Sequence, residues 1–382
     1  MGNEKSMQRN SAADILRCLA FVFVPSVHFL LNSGFYQATV ESTRTLIMVI
    51  ARALFIICVP LFMTLSGYLM RTKQLSASYY KKLGKTYFSY VLASIACVVF
   101  AVLKLEQEWT LRSTLIGILE FKAAPYSWYI EMYMGLFLFV PFLNLLYNNI
   151  PSRKWKRNLL IIGVCLVFLP SVVNVYNFDS ADWWYLPSSN TDYVEILPNW
   201  WVTVLYPVVY YFLGCYLSEY KIRLNKWINL FLILYVTFVY GVYTYWRSFQ
   251  VKFIWGVWCQ YYSLFTFILT LLVFLFFLNL RYDKMPAVIG NGFAKISGLC
   301  MNAYLLSWIF DKLFYPLLKD HVGEIEDRFV YFFAVVPIVI VLSLLLSYVL
   351  QVLQTLLTDF AVKIIGFIKK KSKKPLATAN KT

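Results

Sequence analysis

Apolar positions in this chain gather into ten long runs divided by short polar stretches. They show neither the alternation of strands nor the narrow stripe of surface helices. The runs lie at about 12–32, 45–70, 86–104, 126–148, 158–176, 200–218, 227–246, 256–280, 296–316 and 330–360. At 1.5 Å per residue each comes close to or exceeds ~30 Å of hydrocarbon. Inside a bilayer only helices and closed barrels satisfy their own backbone groups, and runs of this length favour helices. The predicted fold is therefore all-α: a polytopic membrane helical bundle of about ten transmembrane helices. Composition agrees, with 60% hydrophobic and 19% aromatic residues and a mean hydropathy of +0.63, far from a soluble globular enzyme.

Charge orients the bundle. The segments on the N-terminal side (1–11, 71–85, 149–157, 219–226, 281–295 and 361–382) hold 24 Lys and Arg, the opposite loops only 7. Acidic residues run the other way, 3 against 12. The positive-inside rule then predicts both termini in the cytoplasm. The net charge of +16 belongs to this asymmetry and does not call for nucleic acid. A polar start before an apolar run has the outline of a signal peptide. It lacks a small-residue cleavage site and carries ionisable residues in the run, so it reads as a retained first span. The expected organisation is a cytoplasmic tail (1–11), one integral membrane domain (12–360) and a basic cytoplasmic tail (361–382). The cluster Lys369, Lys370, Lys371, Lys373 and Lys374 reads as a topology anchor able to attract anionic lipid.

Ionisable residues within spans are costly and mark function by default. The first span contains Asp14, Arg17 and His28. Eleven helical steps from Arg17 to His28 turn about 1100°, only ~20° beyond three turns, over roughly 16 Å. The two therefore share one face, with Asp14 beside Arg17. His28 is the only histidine within the spans, because His321 lies in the charged loop HVGEIEDR and reads as solvated. An imidazole suits general-base work at neutral pH, and it also serves elsewhere as a buried hydrogen-bonding spacer. Its place on the Arg17 stripe favours catalysis.

Glu131 and Asp311 fall at similar depth to His28, near the outer ends of their spans. A carboxylate facing the imidazole would fix its tautomer, and either acid is a candidate. Asp311 has an alternative partner in neighbouring Lys312. At the cytoplasmic side, Arg17, Arg71, Lys81, Lys82 and Lys85 form a cationic set suited to phosphates, or in the loop simply a positive-inside loop. The outer loop 177–199 is acidic and carries Trp183, Trp184 and Tyr185, which suit either a sugar or an interfacial aromatic belt. Seven scattered cysteines, without metal or redox spacing, read as small buried hydrophobes.

Five stretches together resemble the acyltransferase-3 family of integral membrane O-acyltransferases. They are ADILRCLAFVFVPSVHFLL (13–31), VPLFMTLSGYLM (59–70), SWYIEMYMGLFLFVPFLNLL (127–146), ISGLCMNAYLLSWIFD (296–311) and, more weakly, YPVVYYFLGCYL (206–217). The likeness covers nearly the whole chain in the expected order. It implies about ten spans, an acyl-CoA donor reached from the cytoplasm, and transfer to a hydroxyl of an extracytoplasmic or lipid-linked glycan. Arg17 and His28 match the family's paired functional residues. Two departures stand out: Ser307 occupies a position where many members carry a histidine, and the segment before the third span offers lysines in place of the usual arginine. No appended soluble domain is expected.

The sequence thus predicts an O-acyltransferase, most simply an O-acetyltransferase of a cell-surface polysaccharide, using acetyl-CoA as co-substrate and no bound cofactor or metal. His28, with Glu131 or Asp311, would be catalytic. Arg17, Arg71, Lys82 and Lys85 would hold the donor, and Trp128, Tyr129, Trp183 and Trp184 the acceptor. The rival reading is a transporter or flippase of a lipid-linked glycan, for which the sequence offers no inverted repeat.

Overall fold

The computed structural model describes residues 10–185, 188 and 193–372, with side chains described to residue 364. Fourteen α-helices follow in chain order: α1 (Ser11–Ser33), α2 (Thr43–Phe55), α3 (Cys58–Met70), α4 (Ala77–Leu105), α5 (Leu111–Leu119), α6 (Trp128–Asn148), α7 (Arg153–Val167), α8 (Pro170–Val173), α9 (Ala181–Tyr185), α10 (Val202–Glu219), α11 (Lys226–Arg247), α12 (Leu264–Leu278), α13 (Ala287–His321) and α14 (Phe332–Ser372). Among the described residues there is no β-strand, only isolated bridges such as Thr39 with Lys252. The molecule is a polytopic helical bundle, and among the described residues nine helical stretches are long and apolar enough to cross a membrane.

Departures from the expected spans have local causes. The run 45–70 breaks into α2 and α3 at Ile56–Ile57, because Pro60 has no N–H and its ring opposes the carbonyl four residues earlier. Pro170 divides the run 158–176 into α7 and α8 in the same way. α4 begins at Ala77, well before the apolar run, since the Ser76 hydroxyl accepts the Tyr79 N–H and caps it. The run 200–218 becomes α10, which is not among the nine. Its 18 residues include Tyr206, Tyr210, Tyr211, Tyr216 and Glu219. Its unbroken buried stretch, Val209 to Leu217, faces protein on every side, so it needs no lipid-facing surface.

α10 packs most extensively on α3, and two glycines set that contact. A Cβ at Gly67 would lie 1.9 Å from the Tyr211 carbonyl oxygen, and one at Gly214 would lie 1.9 Å from that of Thr64. The helices approach so closely that only hydrogen fits on either side.

α1 runs through the centre against α13 and α3. Asn10 caps it, its side chain accepting the Ala13 N–H, and Gly34 ends it in the left-handed conformation at φ +95°. Beyond that end, connecting segments knit together. Val40 exchanges backbone hydrogen bonds with Val251 and Gln250, Arg328 donates to the Ser33 carbonyl at 2.6 Å, and Ser188 donates to the Phe249 carbonyl at 2.9 Å. At the opposite end Asn144 donates to the carbonyls of Met70 and Lys73, Asn279 to that of Ile222, and Gln354 to that of Lys85. The loops expected to share a side do share an end of the bundle. The tails 1–9 and 373–382, including Lys373 and Lys374, lie outside the described residues.

Candidate active site

α1 presents Arg17 and His28 to two different cavities. The His28 cavity, about 460 Å³, is lined in part by Tyr36, Tyr126, Trp128, Trp255, Gln260 and Tyr261. At its inner wall His28 Nδ1 stands 3.6 Å from Asp311 Oδ2, with the Asp311 side chain 1% and the His28 side chain 13% exposed. That separation is somewhat long for a hydrogen bond. The carboxylate is held by other donors: Tyr126 Oη gives Asp311 Oδ2 a hydrogen bond at 2.7 Å, and Asn32 Nδ2 one at 3.3 Å. Asn32 also donates to the His28 carbonyl one helical turn back, at 3.0 Å. The Tyr126 ring lies over the imidazole at 4.0 Å between centroids, and the Tyr304 hydroxyl donates to the Tyr126 carbonyl.

Nδ1 is buried and without a hydrogen bond, facing Asp311. The Nε2 nitrogen is therefore the one free to meet a substrate. A carboxylate behind Nδ1 selects the tautomer that leaves Nε2 a base and stabilises the imidazolium formed when it takes a proton.

Of the two candidate acids, the structure brings Asp311 to His28 and leaves Glu131 exposed on α6, off the cavity wall. Asp311 turns inward, away from exposed Lys312. Ser307, one turn earlier on α13, is fully buried and donates to the Tyr304 carbonyl at 2.8 Å. His321 is exposed.

The Arg17 cavity, about 190 Å³, is lined in part by Phe62, Ser66, Thr86, Tyr129, Tyr133 and Met301. Arg17 Nη1 donates to Ser297 Oγ at 2.7 Å and lies 3.9 Å from Asp14, keeping its side chain 32% exposed. Lys82 and Lys85 are exposed within one turn of Thr86 on α4. Arg71 is engaged elsewhere, 3.7 Å from Glu219, on which Lys156 also closes with 2.9 Å to each oxygen. Burial works against ionisation of Glu219. The hydrogen bond and charge of Lys156, with Tyr147 and Arg71, outweigh it and hold the carboxyl below its usual value.

Trp128 and Tyr129, adjacent in sequence, face the two cavities separately. Trp128 stacks on Tyr261 in the His28 cavity. Tyr129 belongs to the Arg17 cavity and packs edge-on against Tyr304, which also neighbours His28 at 6.5 Å. An aromatic partition thus separates the cavities. Trp183 and Trp184 meet neither: Trp183 is fully buried against the Arg247 guanidinium, and Trp184 stacks on Tyr176 at the loop 177–199, of which 186, 187 and 189–192 lie outside the described residues.

Sequence reasoning missed Asn32, Tyr126, Tyr304, Ser297, Tyr36, Trp255 and Gln260. Asn32 was findable, four residues beyond His28 on the same face. Ser297 and Tyr304 sit in the 296–311 motif without any feature to single them out. The rest come from loops, or from a helix start, where periodicity says nothing.

The central helix of the bundle thus offers a carboxylate-backed imidazole toward one end and an arginine toward the other, each at a cavity. The acyltransferase-domain profile of the acyltransferase-3 family matches residues 10–350. The chain belongs to that family and is a membrane acyltransferase. No curated protein and no solved structure matches it.

Proposed function

We propose that the protein is an O-acetyltransferase that takes acetyl groups from cytoplasmic acetyl-CoA and places them on a hydroxyl of a cell-surface or lipid-linked polysaccharide. The observation that carries this reading is the His28–Asp311–Tyr126–Asn32 network on the same α1 face as Arg17, one cavity toward each end. The distribution of Lys and Arg supports placing the Arg17 cavity toward the cytoplasm and the His28 cavity toward the outside.

In this mechanism Arg17, with Lys82 and Lys85 at the mouth, holds the donor's phosphates, a task for which a planar guanidinium is suited. Arg71, already paired with Glu219, is left out of the donor site. The thioester reaches along the α1 face, and the Tyr129–Tyr304 partition parts to admit it. His28 Nε2 takes the proton of the acceptor hydroxyl as its oxygen attacks the acyl carbon. The new C–O bond forms, the C–S bond breaks, and the proton held by His28 passes to the departing thiolate. Asp311 stabilises the imidazolium in between.

The test is release of free thiol from acetyl-CoA by purified protein, together with O-acetyl content of cell-surface glycan by NMR. His28→Gln keeps hydrogen bonding but carries no titratable base, so both signals should fall by about 10²-fold or more in a normally inserted protein. Arg17→Lys should raise the KM for acetyl-CoA while leaving abundance unchanged. Substantial acetylation by His28→Gln would overturn the assignment of His28.

A further inference from the structure

Behind one wall of the His28 cavity lies a charge that the chemistry at His28 does not use. Arg52 on α2 is 1% exposed, and among the described residues it forms no ion pair with a carboxylate. A buried guanidinium is normally paired. This one is spent on the aromatic side chains around it. Its Nε donates to Tyr36 Oη at 3.0 Å and its Nη1 to the Cys259 carbonyl at 3.2 Å. Its central carbon lies 4.6 Å over the Phe253 ring, 4.7 Å over the Trp255 ring and 5.9 Å over the Tyr36 ring.

Two of those three rings, Tyr36 and Trp255, line the cavity that contains His28. Their centroids are 4.4 Å apart. Seen from Trp255, the separations to Arg52 and Tyr36 place those two groups roughly a right angle apart, so they do not sandwich the indole. Trp255 remains 50% exposed and lines the cavity, which leaves part of the indole available. The result is a half-exposed aromatic surface in the same cavity as the proposed base.

We propose that Trp255 is the stacking platform for a pyranose ring of the acceptor, with Arg52 and Tyr36 as positioning residues that lock it in place. The proposal rests on the reading of the protein as a glycan acyltransferase and names where the glycan binds. A pyranose presents a patch of C–H bonds on one face, which suits an aromatic face, and a rim of hydroxyls around it. With the ring laid on Trp255, that rim faces a cavity that contains Gln260, the Trp128–Tyr261 pair and His28. The site would therefore select for acceptors with an uncrowded C–H face, whatever the polar decoration at the opposite edge.

An indole in an outer connecting segment also serves as an interfacial anchor, and the experiment separates the two roles. Purified full-length protein is mixed with methyl pyranosides of glucose, galactose, mannose, rhamnose and N-acetylglucosamine, and binding is read by saturation-transfer NMR. At least one pyranoside should take up saturation, most strongly at the C–H groups of one face. Trp255→Leu, still apolar enough to anchor, should weaken that binding on the order of three- to tenfold, and Trp255→Tyr should restore most of it. Wild-type binding by Trp255→Leu, or no engagement of any of the pyranosides by the wild-type protein, overturns the proposal. Thiol release from acetyl-CoA, followed in the same samples, reports on the reaction separately. If thiol is released but Trp255→Leu binds as wild type, the platform falls and the transferase reading stands. If no thiol is released but the Trp255 pattern holds, the converse is true.

Discussion

In the proposed mechanism the imidazole at His28 works only as well as its orientation, which the Asp311 carboxylate 3.6 Å from Nδ1 would set. Asp311 Oδ2 already accepts from Tyr126 and Asn32, so the carboxylate is fixed before substrate arrives. Asp311→Asn keeps the shape but replaces an acceptor-only group with one that can donate toward Nδ1 and favour the wrong tautomer. Acetylation should fall by about 10²-fold or more while the KM for acetyl-CoA stays near the wild-type value, as steady-state kinetics would show. Glu131→Gln, on the exposed side of α6, should leave the rate within about twofold, since it removes no contact to the imidazole. The sequence placed both acids at the depth of His28, because depth follows from counting along a span. Which acid faces the imidazole depends on the rotation of α6 and α13 about their axes, and that is decided by packing between elements. Tyr126 and Tyr304 were invisible for a related reason: in a chain with 29 tyrosines, residue type alone picks out none.

At the level of helices, the α3–α10 contact gives Gly67, within the stretch VPLFMTLSGYLM (59–70), a packing role. Gly67→Ala places a methyl group on a backbone carbonyl that cannot swing aside, and Gly214→Ala does the same from the other helix. Either should cost about 1–3 kcal/mol, the usual price of overpacking. Gly84→Ala, with nothing within 4 Å of the added carbon, should be neutral or slightly stabilising by thermal unfolding in detergent. The same region holds the Glu219 cluster, which gives the bundle a pH dependence. The Glu219 carboxyl is lowered in the folded protein, so its contribution is complete above the ordinary carboxylate range near ~4.3 and is lost as pH falls through the lowered value. Glu219→Gln should therefore lower the unfolding midpoint at pH 7, and the gap from wild type should close in acid. A gap that persists unchanged as pH falls through and below the lowered value would show that Glu219 acts by shape alone. The α2–α3 break was legible in Pro60, whereas the burial of α10 was not, because its hydropathy reflects partners far away in sequence.

Across the whole molecule, one question decides which cavity meets which substrate: the side of the membrane each end faces. Hydropathy gave the number of crossings nearly right, and the structure gathers the connecting segments at two ends, with the basic loops 71–85, 149–157 and 219–226 near the Arg17 cavity's end of the bundle. The excess of Lys and Arg there predicts that this end is cytoplasmic, where acyl-CoA is made available, and that the His28 cavity opens on the outer side. A single cysteine at the exposed position Asp179, in a background with Cys165→Ala, should react with a membrane-impermeant maleimide in intact cells. A cysteine at exposed Lys154 should react only after the membrane is permeabilised. The reverse pattern would place Arg17 on the outside and His28 beside the cytoplasm. A cytoplasmic donor would then meet the base directly, and the acceptor would have to be an intracellular glycan precursor. Because Arg17 and His28 lie on α1 and each lines one cavity, one labelling experiment fixes the side of both cavities.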